Sequence, residues 1–340
     1  MNAWAGDVVD LYGASPSESD RIIKHFVHQV RDVESELTAE FASSMDGNIR
    51  NPKRIEQLLQ KKASLVNAIK RAGHFLFADL QTVSYPGDDD IYTTIEVVQK
   101  NQPERLQYIH PKHPIKSVAH DDLINTMIVY QTMAIKLMMT GQLDLHDNSC
   151  PVYHCTVPFK HPKLKPYLAL FNEGAVHQKQ EIIQALNHDP DPERRAAAAF
   201  LIGHFNNPQE IMSILSPHVN DEDEGVRNNV LRVMGETVAR AHITTFDATP
   251  FLSLLDSPSV TDRNKSLLVL LTAADSSAGK KQIIQQGQAR FIALLRLKQP
   301  NNHGMAYAIL KKISGRDFSE TDFTAWERWF IEAQAGNSRV

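Results

Sequence analysis

The sequence predicts a mainly α protein: an N-terminal α+β part, made of a helical hairpin, a β-hairpin and a further helix, followed by an α-solenoid of stacked helical pairs. Three observations predict it. First, one block of residues occurs twice. Asp191-Pro192-Glu193-Arg194-Arg195 closes at Gly203, and Asp223-Glu224-Gly225-Val226-Arg227 closes at Gly235, so Asp, Arg and Gly each return after 32 residues. A period of roughly 30 to 45 residues marks helix pairs that bury their apolar faces only by stacking on neighbours. Second, the first seventy residues carry apolar side chains at helical spacing. Third, the stretch from Phe75 to Val98 changes to aromatic and β-branched residues around a strong turn signal.

Taken in order, Asp7 to Ser19 is polar, holds Gly13 and Pro16, and reads as a lead-in. A long helix follows over about Glu18–Ser43, with the stripe Ile22, Phe26, Val30, Val33, Leu37 and Phe41. Gly47, Asn48 and Pro52 interrupt the chain. The second helix runs from Pro52 to Ala72 and stops at Gly73, and the two pair as an antiparallel hairpin. Phe75–Tyr85 and Ile91–Val98 flank Pro86-Gly87-Asp88-Asp89-Asp90 and read as a β-hairpin. The Asp triplet has the hard oxygen ligands that Ca²⁺ takes, but it lacks the twelve-residue register and closing Glu of an EF-hand, so a solvated loop is the better reading. A Pro-rich loop holds His110, His113 and His120. The helix Asp121–Thr140 then opens on paired capping carboxylates, Asp121 and Asp122.

In the repeated blocks Asp191 and Asp223 stand where a helix begins. A carboxylate there accepts from free backbone N–H groups and opposes the positive helix end. Pro192 suits the first turn, where no N–H is needed. The helices that follow are apolar at 3–4 spacing, through Ala198, Leu201 and Ile202 in one copy and Val226, Val230, Val233 and Met234 in the other. A helix is expected over Phe171–Leu186 ahead of them, and Phe251–Leu255, Val260–Ala273 and Gln282–Leu297 continue the series.

These blocks resemble the HEAT repeat family, whose pattern is an Asp ending the turn between two helices, then an apolar residue and an Arg in the second helix. Asp223, Val226 and Arg227 match it fully; Asp191 and Arg195 match it with Arg194 in the apolar place. A third copy is degenerate, from Asp256-Ser257-Pro258-Ser259-Val260 to Arg263. A fourth is weaker, with His303 near the Arg position. The resemblance covers about half the chain, roughly Leu164 to Phe330. It implies an interaction architecture, and a ladder in which Asp191, Arg195, Asp223, Arg227 and Arg263 pair along the stack, with a solvated charged face as the plain alternative. The closing stretch, Ile313-Ser314-Gly315-Arg316-Asp317-Phe318 and then Trp326 to Phe330, resembles the terminal segment of bacterial HEAT proteins. Trp326, Trp329 and Phe330 share a helical face and read as a cap on the last repeat, or as an exposed aromatic anchor for a partner.

The dense chemical region is His146 to His161. Three readings compete there; if the protein is exported, the leading one is a Cys150–Cys155 disulfide stapling the joint across a short loop. The same cysteines with His146, His154 and His161 have the ligand types of a zinc site, in a spacing that matches no zinc module. Two free thiols with surface histidines are the third reading. The resulting organisation is residues 1–145, a Cys/His/Pro-rich joint over 146–163, the repeats with their aromatic cap over 164–335, and a tail over 336–340.

Net charge is −4 and the basic residues are scattered, so no nucleic-acid footprint is expected. The apolar run Leu123–Met139 is too short and too interrupted to span a bilayer. No nucleophile elbow, phosphate-binding Gly loop or H-E-x-x-H motif occurs. The expectation is a non-enzymatic scaffold without a cofactor that binds a protein or peptide on the solenoid face. A metal-dependent hydrolase built on His110–Asp122 or His146–His161 is one alternative, and a structural envelope component stapled by its cysteines is another. Ala3-Trp4-Ala5 before Gly6 has the form of a signal-cleavage site, pointing to a periplasmic or secreted protein; an ordinary N-terminus in a cytoplasmic protein is the alternative.

Overall fold

The computed structural model describes residues 7–43, 51–85, 90–106, 108, 122–144 and 146–337. The chain opens with β1 (Val8–Tyr12), α1 (Pro16–Ser43), α2 (Pro52–Ala72), β2 (Phe77–Ser84) and β3 (Ile91–Val98). Then come α3 (Leu123–Met139), α4 (Lys165–His177), α5 (Lys179–His188), α6 (Pro192–Ile202), α7 (Pro208–Leu215) and α8 (Glu224–Arg240). The series ends with α9 (Thr249–Leu254), α10 (Val260–Ala273), α11 (Ser277–Leu295), α12 (Pro300–Ser314) and α13 (Phe323–Asn337).

The chain divides into two compact units, and neither is continuous in sequence. The first takes its described residues from Met1–Gln107, Leu255–Leu267 and Lys281–Val340; the second takes them from Tyr108–Leu254 and Leu268–Lys280. Neither edge of the 146–163 joint coincides with a boundary between them. The chain leaves the first unit and returns to it, a pattern that linear composition does not display.

In the first unit a three-stranded sheet has the order β1-β3-β2, with β3 central, parallel to β1 and antiparallel to β2. The helical hairpin and the β-hairpin stand where the spacing places them. Ile22, Phe26, Val30, Val33 and Leu37 of α1 pack with Leu58, Leu65 and Ile69 of α2 and with Leu11, Leu80, Ile95 and Val97 of the sheet. Each such side chain contributes about 1.5–3 kcal/mol by leaving water, so a charge at Val33 would break the layer. Phe41, expected in the stripe, is exposed near the helix end. Asn51 caps α2 by accepting from the Arg54 amide, and Pro52 follows at the first helical position.

Two expectations give way. Val8–Tyr12 is a strand, not a lead-in: it is short, its alternation is broken by the buried Asp10, and its partner β3 lies some eighty residues on. Gly13 ends it with φ +104°, where an added Cβ would lie 2.0 Å from the Val97 carbonyl oxygen, so only glycine serves. The single helix over Phe171–Leu186 is two, α4 and α5. Gln178 turns the chain between them at ψ 29° while its amide bonds the Gly174 carbonyl, and no Gly or Pro marks the break.

In the second unit α5 packs on α6, α7 on α8 and α6 on α8, while α3 packs against α6. Every α6 residue from Arg194 to Ile202 is buried except half-buried Ala196.

Candidate functional site

The repeats are held by buried arginines. Arg195, Arg227 and Arg263 lie in the first turns of α6, α8 and α10. Each donates through Nη1 to the carbonyl six residues upstream: Asp189 at 3.0 Å, Asp221 at 2.8 Å and Ser257 at 2.7 Å. A guanidinium here serves the otherwise unpaired carbonyls of the turn before its own helix.

The carboxylates along the stack stand two residues upstream of the expected ones. Arg195 grips Asp221 with Nη2 at 2.9 Å and Nε at 3.2 Å. Asp191 and Asp223 cap their helices instead, accepting from the Glu193 amide at 2.9 Å and the Val226 amide at 3.0 Å. Asp189 and Asp221 also accept from the amides of Asp191 and Asp223, at 3.0 and 2.9 Å, which fixes the turn. The Cζ of Arg227 lies 4.2 Å from the Tyr108 ring centroid.

Arg194, the departure from the repeat pattern, has a role of its own. Its Nε donates to Asp189 at 2.8 Å and its Nη1 to Asp122 at 3.1 Å, and Nη2 also contacts Asp122. Asp122 caps α3 through the Asn125 amide. Arg194 therefore ties α3 to α6. Partial burial works against ionising Asp122, but Arg194 and the Asn125 amide prevail and hold its carboxyl below the usual range.

In the first unit the ladder acid is supplied from the sheet. Glu96 of β3 takes Arg263 in a two-pronged pair, Nη1 to Oε2 at 2.8 Å and Nη2 to Oε1 at 2.5 Å, with neither side chain reaching solvent. Asn302 accepts from Nε at 2.8 Å, and the Tyr12 ring lies 4.1 Å from the guanidinium carbon. Burial pushes Glu96 up and Arg263 pulls it back; for Arg263 burial is outweighed by Glu96, which holds the guanidinium charged. The parallel bonds favour the ionised form. His303 of α12, outside the matched repeats, donates from Nδ1 to the Leu295 carbonyl at 2.9 Å.

The 146–163 segment lies wholly in the second unit. Cys150 and Cys155 are joined as a disulfide, which removes both thiolates from the zinc reading. His146 is exposed, the Nδ1 of His161 accepts from the Lys163 amide, and His154 is buried, so the three rings serve no common centre. Among the described residues no group of three or more His, Cys, Asp or Glu is placed to hold a metal ion. His110, His113, His120, Asp121, Asp88, Asp89 and Ala3–Ala5 lie outside the described residues. An open cleft of about 410 Å³ is lined by both cysteines, Arg232, Glu236, Arg240 and Asp147, among others.

Helix α3 turns Leu123, Ile124, Met127, Tyr130, Ala134 and Leu137 inward and leaves Val129, Ile135, Met138 and Met139 exposed; Leu170 and Val176 of α4 are exposed as well. At the chain's end Trp326 and Phe330 are fully buried and Trp329 half-buried. Trp326 meets Tyr307, Phe318 and Trp329 edge-on and donates to the Ser319 carbonyl at 3.0 Å, as a packed lid does rather than an open anchor. No helix among the described residues is long and apolar enough to cross a membrane.

Helix pairs strung on buried arginines define the α-solenoid class. Residues 180–272, from α5 into α10, match a family described as HEAT repeats, so this part of the C-terminal half is built of HEAT repeats. The match is shorter than the 164–330 span suggested by the residue pattern. None of the curated proteins and none of the solved structures matches the chain. HEAT repeats are typically scaffolds for protein interaction.

Proposed function

We propose that the protein is a non-enzymatic interaction module and that its partner is an amphipathic helix of another protein, received on the outer side of α3. The observation that carries this reading is the exposed set Val129, Ile135, Met138 and Met139 on a helix packed against the first HEAT repeat. The repeat helices themselves offer little: α6 is almost wholly buried, and α8 buries Val226, Arg227, Asn229 to Leu231 and Val233 to Gly235. The only charged residue of α3 is Lys136, so a partner stripe of apolar residues beside one acidic residue fits this face. Large exposed apolar patches on soluble proteins mark such contacts.

The test compares wild-type protein with an Ile135→Glu, Met139→Glu variant in crosslinked pull-downs, after circular dichroism shows equal folding. Partners recovered with the wild type and lost with the variant support the reading. A partner set unchanged by the variant removes it, as does an apolar face consumed by self-association, seen as a dimer that the variant dissolves.

The disulfide supports a periplasmic or secreted location, since such bonds persist in oxidising compartments. Thiol titration of protein denatured straight from its native cells tests this; two free thiols would place it in a reducing compartment.

A further inference from the structure

We propose that the Cys150–Cys155 disulfide is a redox latch: closed, it holds His154 in a buried seat against α6 and α8; opened by a dithiol reductant, it releases the strap and uncovers Phe200. His154 lies inside the ring that the disulfide closes. Its side chain is 1% exposed, with its ring 4.5 Å from that of Phe200 and tilted by 31°. Glu236 Oε1 lies 3.0 Å from Nδ1, while Nε2 is buried with no hydrogen-bond partner. A buried polar ring left in that state opposes its own burial. The seat also requires Gly203, where an added Cβ would come 2.9 Å from the Cβ of His154. Within the ring the other ties are the Tyr153 amide to the Gly203 carbonyl at 3.1 Å and Arg240 Nη1 to the Cys150 carbonyl at 3.2 Å; just beyond it the Tyr130 hydroxyl donates to the Val157 carbonyl at 3.2 Å and Phe159 stacks on Tyr130. The covalent ring is the constraint that makes an unfavourable insertion persist. Both cysteines line the open cleft, so a reductant reaches them from solvent.

The exchange balances without further reactants. One thiolate of the dithiol attacks a sulfur of the pair, the other cysteine leaves as a thiolate and takes a proton, and the second thiol of the reductant resolves the mixed disulfide. Two electrons and two protons pass to Cys150 and Cys155, and the reductant departs as its own disulfide.

The test uses the full chain with dithiothreitol as the dithiol and reads two local signals by mass spectrometry: diethylpyrocarbonate labelling of His154, and deuterium uptake by a peptide containing the Tyr153 amide. Reduction is expected to raise both by roughly fortyfold, the loop-closure value for so short a ring, while the amides of α6 and α8 keep their protection. A Cys150→Ser variant should show the raised rates with or without reductant. Rates unchanged after thiol titration has shown complete reduction overturn the latch. So does a rise shared equally by α6 and α8, which would make the bond a general staple.

Discussion

Glu96 and Arg263 stand 167 residues apart and meet through two parallel hydrogen bonds beneath the surface. The sheet thus completes the third repeat. Where the first repeat's Arg195 takes Asp221 from the next, Arg263 takes a carboxylate from β3. Removing one partner leaves an uncompensated buried charge, so Glu96→Gln or Arg263→Met alone should cost about 3–5 kcal/mol in denaturant unfolding. The double variant Glu96→Gln, Arg263→Met should recover much of that loss. Single variants within 1 kcal/mol of wild type would show that the pair is hydrated in solution.

Arg194→Leu restores the apolar residue of the repeat pattern and cuts the tie from α3 to α6. We expect a loss of about 2 kcal/mol, since buried Asp189 is left short of a donor. Amide exchange should rise along α3 before it rises in α8. Uniform exchange across both helices would deny Arg194 that local role.

Acid should unfold the protein early. Burial, aided by the nearby His154, pushes His204 down to about 3, and burial lowers His154 and His218 as well. In the unfolded chain each titrates near 6.5. Below about pH 6.5 the unfolded state binds more protons, so the stability these rings carry is complete above that pH and drains as pH falls, for His204 down to about 3. Each contributes a slope of up to about 1.4 kcal/mol per pH unit. His204 donates from Nδ1 to Asn172, so His204→Gln keeps a donor and should flatten the slope by one such step. Urea midpoints between pH 7.5 and 5 measure it; identical slopes in both proteins would mean that His204 is accessible to protons when folded.

Trp326 is the largest fully buried side chain among the described residues. Trp326→Ala should cost about 3–5 kcal/mol, read as loss of the tertiary circular dichroism signal together with a lowered melting temperature. A variant that melts like the wild type would show that the terminal helix is dispensable to the repeats.

The elements whose cues are local were legible in the sequence. Pro52 and Gly73 bound α2 at the expected residues, and the β-hairpin follows its turn signal. The cysteine pair was legible as one of three readings. The ladder was legible in its arginines but not in its acids. Asp189 and Asp221 recur at the same 32-residue spacing as Asp191 and Asp223, so the period could not choose between them. The choice comes from geometry, because the residue next to the first turn is spent on capping. Arg194 looked like a lapse from the pattern because its reason, Asp122, lies 72 residues upstream. The strand β1 and the role of Glu96 rest on pairings between distant parts of the chain, which leave no periodic trace.

The interleaved connectivity of the first unit sets an order of events during synthesis. Glu96 leaves the ribosome 167 residues ahead of the guanidinium that neutralises it, an interval of roughly 8 to 33 s at about 5–20 residues per second. The nascent sheet must idle through that delay with an unmatched acid on its middle strand, while the HEAT helices before Leu254 emerge and close around their own arginines. A chain stalled or cut before residue 255 would thus carry seated arginines in its first two repeats, lack the last stretch of the second unit, and hold a sheet whose central acid has no partner.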